Sequence, residues 1–180
     1  MLRNRLRPAA AQSRRMYVQI MMQVVGRALQ AISEVDDDVQ REISLLPDGF
    51  IFEMTALPAG PALLVQKTGN HLRYLGETAE READLSIRFK HIAHAFLVLS
   101  FQEKTAVAFA NDRMVVNGDL GYALRVTRVL NRLEAFILPK LVAERAVKQY
   151  PQDLKLPEKL LQGARIYLQM GTNLVQQVTS

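Results

Sequence analysis

The chain has 180 residues, 49% of them hydrophobic and 23% charged, a balance that supports one globular domain with extensions. It has no cysteine, which excludes disulfide bonds and cysteine-ligated metals, and no apolar run approaches the length of a membrane span. The net charge of +5 is concentrated at the start, because six arginines precede Glu34, the first acidic residue. The rest of the chain has 17 basic and 18 acidic residues, which gives it a net charge of −1. This argues against a nucleic-acid partner, which would need a basic stripe on the folded surface.

The first residues form a basic segment. Residues 1–16 are polar, arginine-rich and interrupted by Pro8, which predicts a mobile arm. From Tyr17 an apolar stripe at helical spacing predicts a helix. Two glutamines in this stripe argue against a secretory signal, whereas the acid-free composition also fits a mitochondrial transit sequence. We prefer a domain helix whose basic arm makes transient contact with an anionic membrane surface; a packing helix with a solvated tail explains the pattern equally well.

A helix, a strand and a hairpin are predicted next. The aspartates at 36–38 can cap a helix through Leu46. Residues 50–55 alternate and predict a strand, and the loop at 57–61 contains two prolines. Apolar runs on either side of Thr68-Gly69-Asn70 predict a hairpin.

The most regular part of the chain lies between Ala83 and Leu138. Residues 83–89 alternate strictly between apolar and polar, which predicts a half-buried strand. An apolar helix around residues 92–99, a short helix over 105–110 and a short strand over 114–116 follow. Gly118-Asp119 then predicts a sharp turn and an N-cap for a long helix.

The predicted long helix continues to the C-terminal region. We expect Pro139 to kink or restart it. Residues 150–180 form a separate extension, with Pro157 at the start of a strongly amphipathic last helix. A helix of this kind must dock on its own core, a second copy, a partner or a bilayer.

The order of these elements, with the segment Ala110-Asn111-Asp112-Arg113-Met114-Val115-Val116-Asn117-Gly118-Asp119, resembles the core of the sterol carrier protein 2 lipid-binding family. The resemblance implies an α+β fold, a small and mostly antiparallel sheet covered on one face by helices. It implies a lipid-binding domain over residues 17–149, with amphipathic helical extensions at both ends. The organisation also looks like that of bacterial accessory lipid carriers of ubiquinone biosynthesis.

The same resemblance implies an apolar tunnel between sheet and helices that holds a lipid tail, with no other cofactor. The candidate lining residues are Phe50, Phe52, Ile87, Phe89, Phe96, Leu97, Phe101, Phe109, Met114, Leu124, Leu130 and Ile137. Arg125, Arg128 and Arg132 lie at helical spacing and are candidates for binding a lipid head group. A completely filled core and a solvated arginine face are the alternatives, which the sequence leaves open.

No catalytic or metal-binding motif stands out, so we do not expect an enzyme. His91 and His94 lie three residues apart on a predicted helix, but no third ligand accompanies them. The sequence contains no phosphate-binding loop, dinucleotide motif or nucleophile elbow.

The preferred interpretation is a cytoplasmic, peripherally membrane-associated carrier of a phospholipid, an isoprenoid quinone intermediate or a fatty acyl chain. Its partners would be the lipid, an anionic membrane, biosynthetic enzymes or a second copy of the chain. The rival interpretations are an interaction module with a filled core, an enzyme that uses the cavity as its active site, and an organelle-imported protein.

Overall fold

One face of a five-stranded sheet carries the helices of this protein. The computed structural model describes residues 6–147, and side chains between residues 11 and 136. The strands are β1 (Ile51–Ala56), β2 (Ala62–Thr68), β3 (His71–Gly76), β4 (Leu85–Phe89) and β5 (Met114–Gly118). The helices are α1 (Leu6–Val35), α2 (Asp37–Ser44), α3 (Ile92–Leu99), α4 (Thr105–Ala110) and α5 (Leu120–Val147). The predicted α+β class is confirmed.

The strands lie in the order β3-β2-β1-β4-β5. Strands β1 and β4 pair in parallel, and the other neighbours are antiparallel. Met54 is opposite Ile87 in the parallel pair, and Phe89 is opposite Met114 at the β4–β5 ladder. This register brings apolar residues of the three strands onto one face.

The two faces of the sheet differ in chemistry, as the strand alternation predicts. Phe52, Met54 and Ile87 belong to the buried core beneath the helices. On the opposite face, Arg88 Nε lies 3.8 Å from Glu53 Oε2 across the β1–β4 pair. This ion pair therefore lies on the face away from the helices.

Helix α1 begins at Leu6 and not at Tyr17. Residues 6–16, predicted to be a mobile arm, are therefore helical. Pro8 falls in the first turn, where a proline is tolerated because the missing N–H has no intrahelical acceptor there. Pro8, which we expected to interrupt a helix, is therefore compatible with the start of α1.

Helix α1 packs closely on β3, which is an edge strand of the sheet. A Cβ atom added to Gly26 would lie 2.4 Å from Tyr74 Cε2, so any other residue here would require the Tyr74 ring to move. Gln30 Oε1 accepts a hydrogen bond from Tyr74 N at 3.0 Å, and Ser33 Oγ accepts one from Leu72 N at 2.9 Å. Side chains of α1 thus satisfy backbone donors of the sheet edge.

The predicted turn before α5 is confirmed. Gly118 has φ of +135°, and a Cβ atom there would lie 2.6 Å from Asp84 O, so the position requires glycine. Asp119 Oδ1 accepts hydrogen bonds from Gly121 N at 2.7 Å and Tyr122 N at 3.2 Å. These bonds satisfy two of the free donors at the start of α5.

Helix α5 is one helix from Leu120 to Val147 and includes Pro139, where we predicted a kink or restart. The predicted C-terminal extension, residues 150–180, lies outside the part of the chain that the structure describes.

The loop between β3 and β4 is fixed by one arginine. Arg81 donates to both carboxyl oxygens of Asp84, at 3.0 and 2.6 Å, and to Gly49 O at 2.7 Å. Asp84 Oδ2 also accepts a hydrogen bond from Ile51 N at 2.8 Å. The hydrogen bonds from Arg81 hold the pKa of the Asp84 carboxyl below its ordinary value, against partial desolvation.

Replacing Asp119 with alanine should remove the α5 cap and lower the free energy of unfolding by about 1 kcal/mol. Asp119→Asn is the matched control, because asparagine caps as well as aspartate, and it should change stability by only a few tenths of a kcal/mol. Urea denaturation of both variants measures the difference. Equal losses in the two variants would contradict the capping role.

Replacing Arg81 with alanine should destabilise the protein at neutral pH. A lowered carboxyl pKa contributes stability above the unfolded value of about 3.9, and the contribution is lost as pH falls through the folded pKa. The stability gap between wild type and Arg81→Ala, measured by urea denaturation, should therefore narrow below about pH 4. Arg73→Ala is the control, because Arg73 donates a hydrogen bond to the neutral side chain of Gln66. The difference in unfolding free energy between wild type and Arg73→Ala should not vary with pH in this range.

Candidate functional site

A cavity of about 90 Å³ lies between the sheet and the helices. Its apolar wall is built from α1, the strands β1, β4 and β5, the end of α3 with the following loop, and the middle of α5. The apolar residues that line it are Met21, Val25, Met54, Ile87, Phe89, Val98, Leu99, Phe101, Met114, Leu130 and Leu133. Side chains of this kind exclude water and suit an apolar ligand.

The cavity wall also has a polar part, formed by the loop after α3, the start of α4 and the middle of α5. Its residues are Glu103, Thr105, Thr127, Asn131 and Glu134. Polar atoms of this kind, set in an apolar wall, orient a ligand and give specificity.

Glu103 is largely enclosed, with its side chain 11% exposed. Its Oε1 accepts a hydrogen bond from Asn111 Nδ2 at 3.2 Å. Its Oε2 lies 2.9 Å from Arg113 Nη1 as an ion pair but is buried without a hydrogen bond. The guanidinium of Arg113 therefore balances the charge of this largely buried carboxylate.

The cavity is smaller than the 300–1,000 Å³ that is typical of ligand pockets. Three of its lining residues, Met21, Met54 and Met114, have flexible side chains that adapt to irregular shapes. The walls can therefore rearrange around an entering chain more easily than a wall of branched residues could.

Five of the twelve candidate lining residues are brought together around this cavity. They are Ile87, Phe89, Phe101, Met114 and Leu130. Phe96 and Leu97 are half-buried on α3 and do not line it.

Phe50 and Phe52 lie elsewhere in the core. Both line a separate apolar cavity of about 20 Å³, which also touches α2 and α5. The ring of Phe50 packs edge to face on Tyr122 at 5.3 Å between centroids. These phenylalanines fill the core beside α2 and not the larger cavity.

Two candidates need correction. Phe109 and Leu124 are 56% and 53% exposed, so neither lines a cavity. Helical spacing placed Leu124 on the apolar face of α5, but no described element covers its side chain. The side chain of Ile137 lies outside the described part of the chain.

The three candidate head-group arginines face α2. Arg125 and Arg128 both pair with Glu42, at 3.2 and 3.1 Å. Arg132 pairs with Asp36 at 3.0 Å and Asp38 at 3.2 Å. None of them lines the larger cavity. Their structural role is to hold α5 against α2.

Several lining residues were not predicted from the sequence. Val25 was part of the predicted α1 stripe, whose helical spacing could have suggested it. Glu103, Thr127 and Glu134 carried no signal, since polar residues on a helix or loop normally face solvent. Only the packing of α5 beside the loop after α3 reveals their position.

One of the two neighbouring histidines has a structural role. His91 caps α3, where its Nδ1 accepts a hydrogen bond from Ala93 N at 3.1 Å. Its ring lies 6.1 Å from that of His94. Within residues 6–147 no cluster of three potential metal ligands is found. Among the helices described there, none combines the length and apolarity needed to cross a membrane.

Replacing Arg132 with glutamine should lower stability by about 1–2 kcal/mol, because the buried Asp36 carboxylate loses its charged partner. Ligand affinity should not change, since Arg132 does not line the cavity. Arg128→Gln is the control: its exposed pair should contribute less than about 1 kcal/mol. Urea denaturation and ligand titration separate the two effects, and a loss of affinity without a loss of stability would restore the head-group role.

Searches with the sequence find no match to a protein-family model and no match among curated proteins. The structure is similar to that of a "UbiJ-SCP2 ubiquinone synthesis protein", with 11% identity and a TM-score of 0.46, over 66% of this chain and 96% of that one. It is also similar to a crystal structure of sterol carrier protein 2, with 16% identity and a TM-score of 0.45, over 64% and 94% of the two chains.

A third similar structure is the apo form of sterol carrier protein 2 from Yarrowia lipolytica, with 10% identity and a TM-score of 0.43, over 64% of this chain and 91% of that one. All three similarities cover about two thirds of this chain, at 10–16% sequence identity.

Proposed function

We propose that the protein binds a molecule with an apolar chain in the cavity between the sheet and the helices, and carries or presents it to a membrane or an enzyme. The observation that supports this most directly is the cavity itself. Protein interiors are normally filled to crystal-like density, with few voids larger than a water molecule. A cavity of about 90 Å³ lined by eleven apolar residues is an unfilled volume where packing is expected.

Burial of the chain supplies the binding free energy. Each methylene removed from water contributes about 0.8 kcal/mol. An empty apolar cavity also leaves its lining side chains without dispersion contacts, which a ligand restores. No chemical step is needed, and the protein acts by binding and release.

Transfer of the ligand requires contact with a donor or acceptor. Exposed apolar side chains lie on three neighbouring elements: Val107 and Phe109 on α4, Val115 on β5, and Leu120 and Leu124 at the start of α5. They suit contact with a bilayer or an enzyme surface. The arginines at the start of the chain add attraction to anionic lipid, and with them a peripheral location on the cytoplasmic side of an inner membrane.

The ligand classes we propose are a phospholipid, an isoprenoid quinone intermediate and a fatty acyl chain. A role in ubiquinone biosynthesis is the narrowest form of this proposal. It is motivated by the organisation of the chain and would make a membrane-linked biosynthetic enzyme the natural recipient of the ligand.

An interaction module is the second candidate function. Met16 and Ile20 of α1 are 61% and 53% exposed, one helical turn apart. A partner or a second copy could cover this strip. A concentration-dependent increase in mass on light scattering, together with failure to take up any apolar ligand, would favour this function over the carrier.

Replacing Val98 with phenylalanine should fill part of the cavity and weaken binding of decanol by roughly tenfold or more. Exclusion of two methylenes would cost about 1.6 kcal/mol, which corresponds to this factor. Titration calorimetry measures the affinity. Val107→Phe, the same change on the exposed surface of α4, is the matched control and should bind as wild type does.

Circular dichroism should confirm that both variants remain folded, because overpacking costs about 1–3 kcal/mol. Unchanged affinity in Val98→Phe, or an equal loss in Val107→Phe, would contradict the proposed site. Organic extraction of the purified wild type, with mass spectrometry, would identify any lipid that copurifies.

A further inference from the structure

We propose that residues 157–178 of the same chain dock along an exposed strip on α5. The strip consists of Leu120, Leu124, Thr127 and Asn131, which follow one another at helical spacing and therefore share one face of the helix. The inference concerns an interaction surface. It goes beyond the proposed function and does not depend on it.

The α5 strip lies opposite the face of α5 that packs into the core. Val126, Val129 and Leu133 are buried, whereas Leu120 and Leu124 are 74% and 53% exposed. Because consecutive residues of an α-helix are rotated by about 100°, the strip and the buried residues point in opposite directions. Helix α5 packs on α1, α2 and β5 with its other faces. Among the described residues, no element covers the strip.

The chemistry of the strip is unusual for a helix face in water. Such a face normally carries charged residues, but the four residues of the strip are uncharged and two of them are leucines. Arg125, Arg128 and Arg132 of the same helix are turned to α2, where each pairs with a carboxylate. An uncharged strip on a helix that is otherwise charged toward solvent is typical of a surface on which another helix packs.

The sequence contains a segment that fits this surface. Residues 157–178 lie outside the described part of the chain, and their sequence predicts an amphipathic helix that begins at Pro157. Leu161, Leu168 and Val175 recur every seven residues on its apolar face. A helix with such a face must bury it, and the α5 strip offers an apolar surface without a cover.

The length of the segment fits a return along α5. Helix α5 ends at Val147, 23 residues after Leu124, which corresponds to about 35 Å along its axis. Residues 148–156 are enough to reverse the direction of the chain, since the loop of an αα-hairpin needs only about two to five residues. A helix over residues 157–178 is about 32 Å long. Its last two turns, with Leu174 and Val178, therefore reach the level of Leu124.

The short connection to α5 favours this segment over a second copy of the chain. A group held by a short linker has an effective concentration in the millimolar range, without any further contact. A second copy binds only in proportion to its concentration in solution. Release of the segment would expose Leu120 and Leu124 for the bilayer or enzyme contact of the carrier.

The charges of the two surfaces are complementary. Residues 157–178 carry Lys159 and Arg165 against one acidic residue, Glu158. Glu134 is the one carboxylate of α5 between residues 120 and 136, and it has no ion-pair partner among the described residues. A basic segment along this side of α5 therefore meets an unpaired negative charge.

Cysteine crosslinking in the full chain tests the docking, because the chain has no cysteine of its own. Leu124→Cys is combined in turn with Leu174→Cys, Val175→Cys and Val178→Cys, and each double variant is treated with oxidised glutathione. We expect at least one pair to form an intramolecular disulfide, detected as the loss of two hydrogen atoms in the intact mass. The control is Glu80→Cys, an exposed position beside the outer face of the sheet. With the same three partners it should crosslink at least about tenfold more slowly.

A charge on the strip tests whether apolar contact holds the segment. Leu120→Glu, added to the pair that crosslinks fastest, should slow disulfide formation by about tenfold, because a carboxylate in an apolar contact loses hydration. Ile20→Glu is the matched control, since Ile20 of α1 is also 53% exposed, and it should leave the rate unchanged. Circular dichroism should show that both variants remain folded.

Four results would overturn the inference. Equal rates with Leu124→Cys and Glu80→Cys would show that the segment is not held at the strip. A disulfide that doubles the mass and depends on protein concentration would assign the strip to a second copy. Protection of Leu124→Cys from a water-soluble maleimide only after addition of phosphatidylglycerol vesicles would assign it to a bilayer. A crosslinking rate unchanged by Leu120→Glu would refute apolar docking. None of these measurements uses an apolar ligand, so failure here is distinct from failure of the carrier function.

Discussion

The contact between α1 and the hairpin β2–β3 is the constraint on which the arrangement of the core depends. One apolar face of the sheet must be kept from water, and α1 covers its β2–β3 side at the close distance that Gly26 allows beside Tyr74. Strands β4 and β5 form the other side of the sheet, away from this contact. The residues of β4 and β5 that line the cavity, Ile87, Phe89 and Met114, lie on that other side. The position of the cavity thus follows from where α1 is attached.

The charged side chains of the helices lie in two places, the contact between α2 and α5 and the wall of the cavity. The carboxylates of α2 and the arginines of α5 neutralise one another and fix α5 beside α2. Glu103 and Glu134 line the cavity, and Arg113 pairs with Glu103. The arginines of α5 thus face α2, whereas Glu134 on the same helix faces the cavity. A change to one group need not alter the other.

The alternation of β4, the hairpin at Gly69 and the Gly118-Asp119 turn could be predicted from the sequence, because each depends on local geometry. The exposure of Phe109 and Leu124 could not, since helical periodicity defines a face but not the element that covers it. The ion pairs of Arg125, Arg128 and Arg132 join residues that are far apart in the chain. The start of α1 at Leu6 was obscured by Pro8, which breaks a helix interior but not a first turn.

The hydrogen bonds from β3 to Gln30 and Ser33 have a consequence for association between molecules. Unpaired backbone donors on an edge strand are the usual starting point for strand addition and aggregation. Side chains of α1 occupy the backbone donors of Leu72 and Tyr74, so this edge has fewer free donors for a second chain to pair with. The β5 edge has no such cover from the described residues, and its strand is short. Among the described residues, β5 is therefore the edge of the sheet more open to pairing with a second chain.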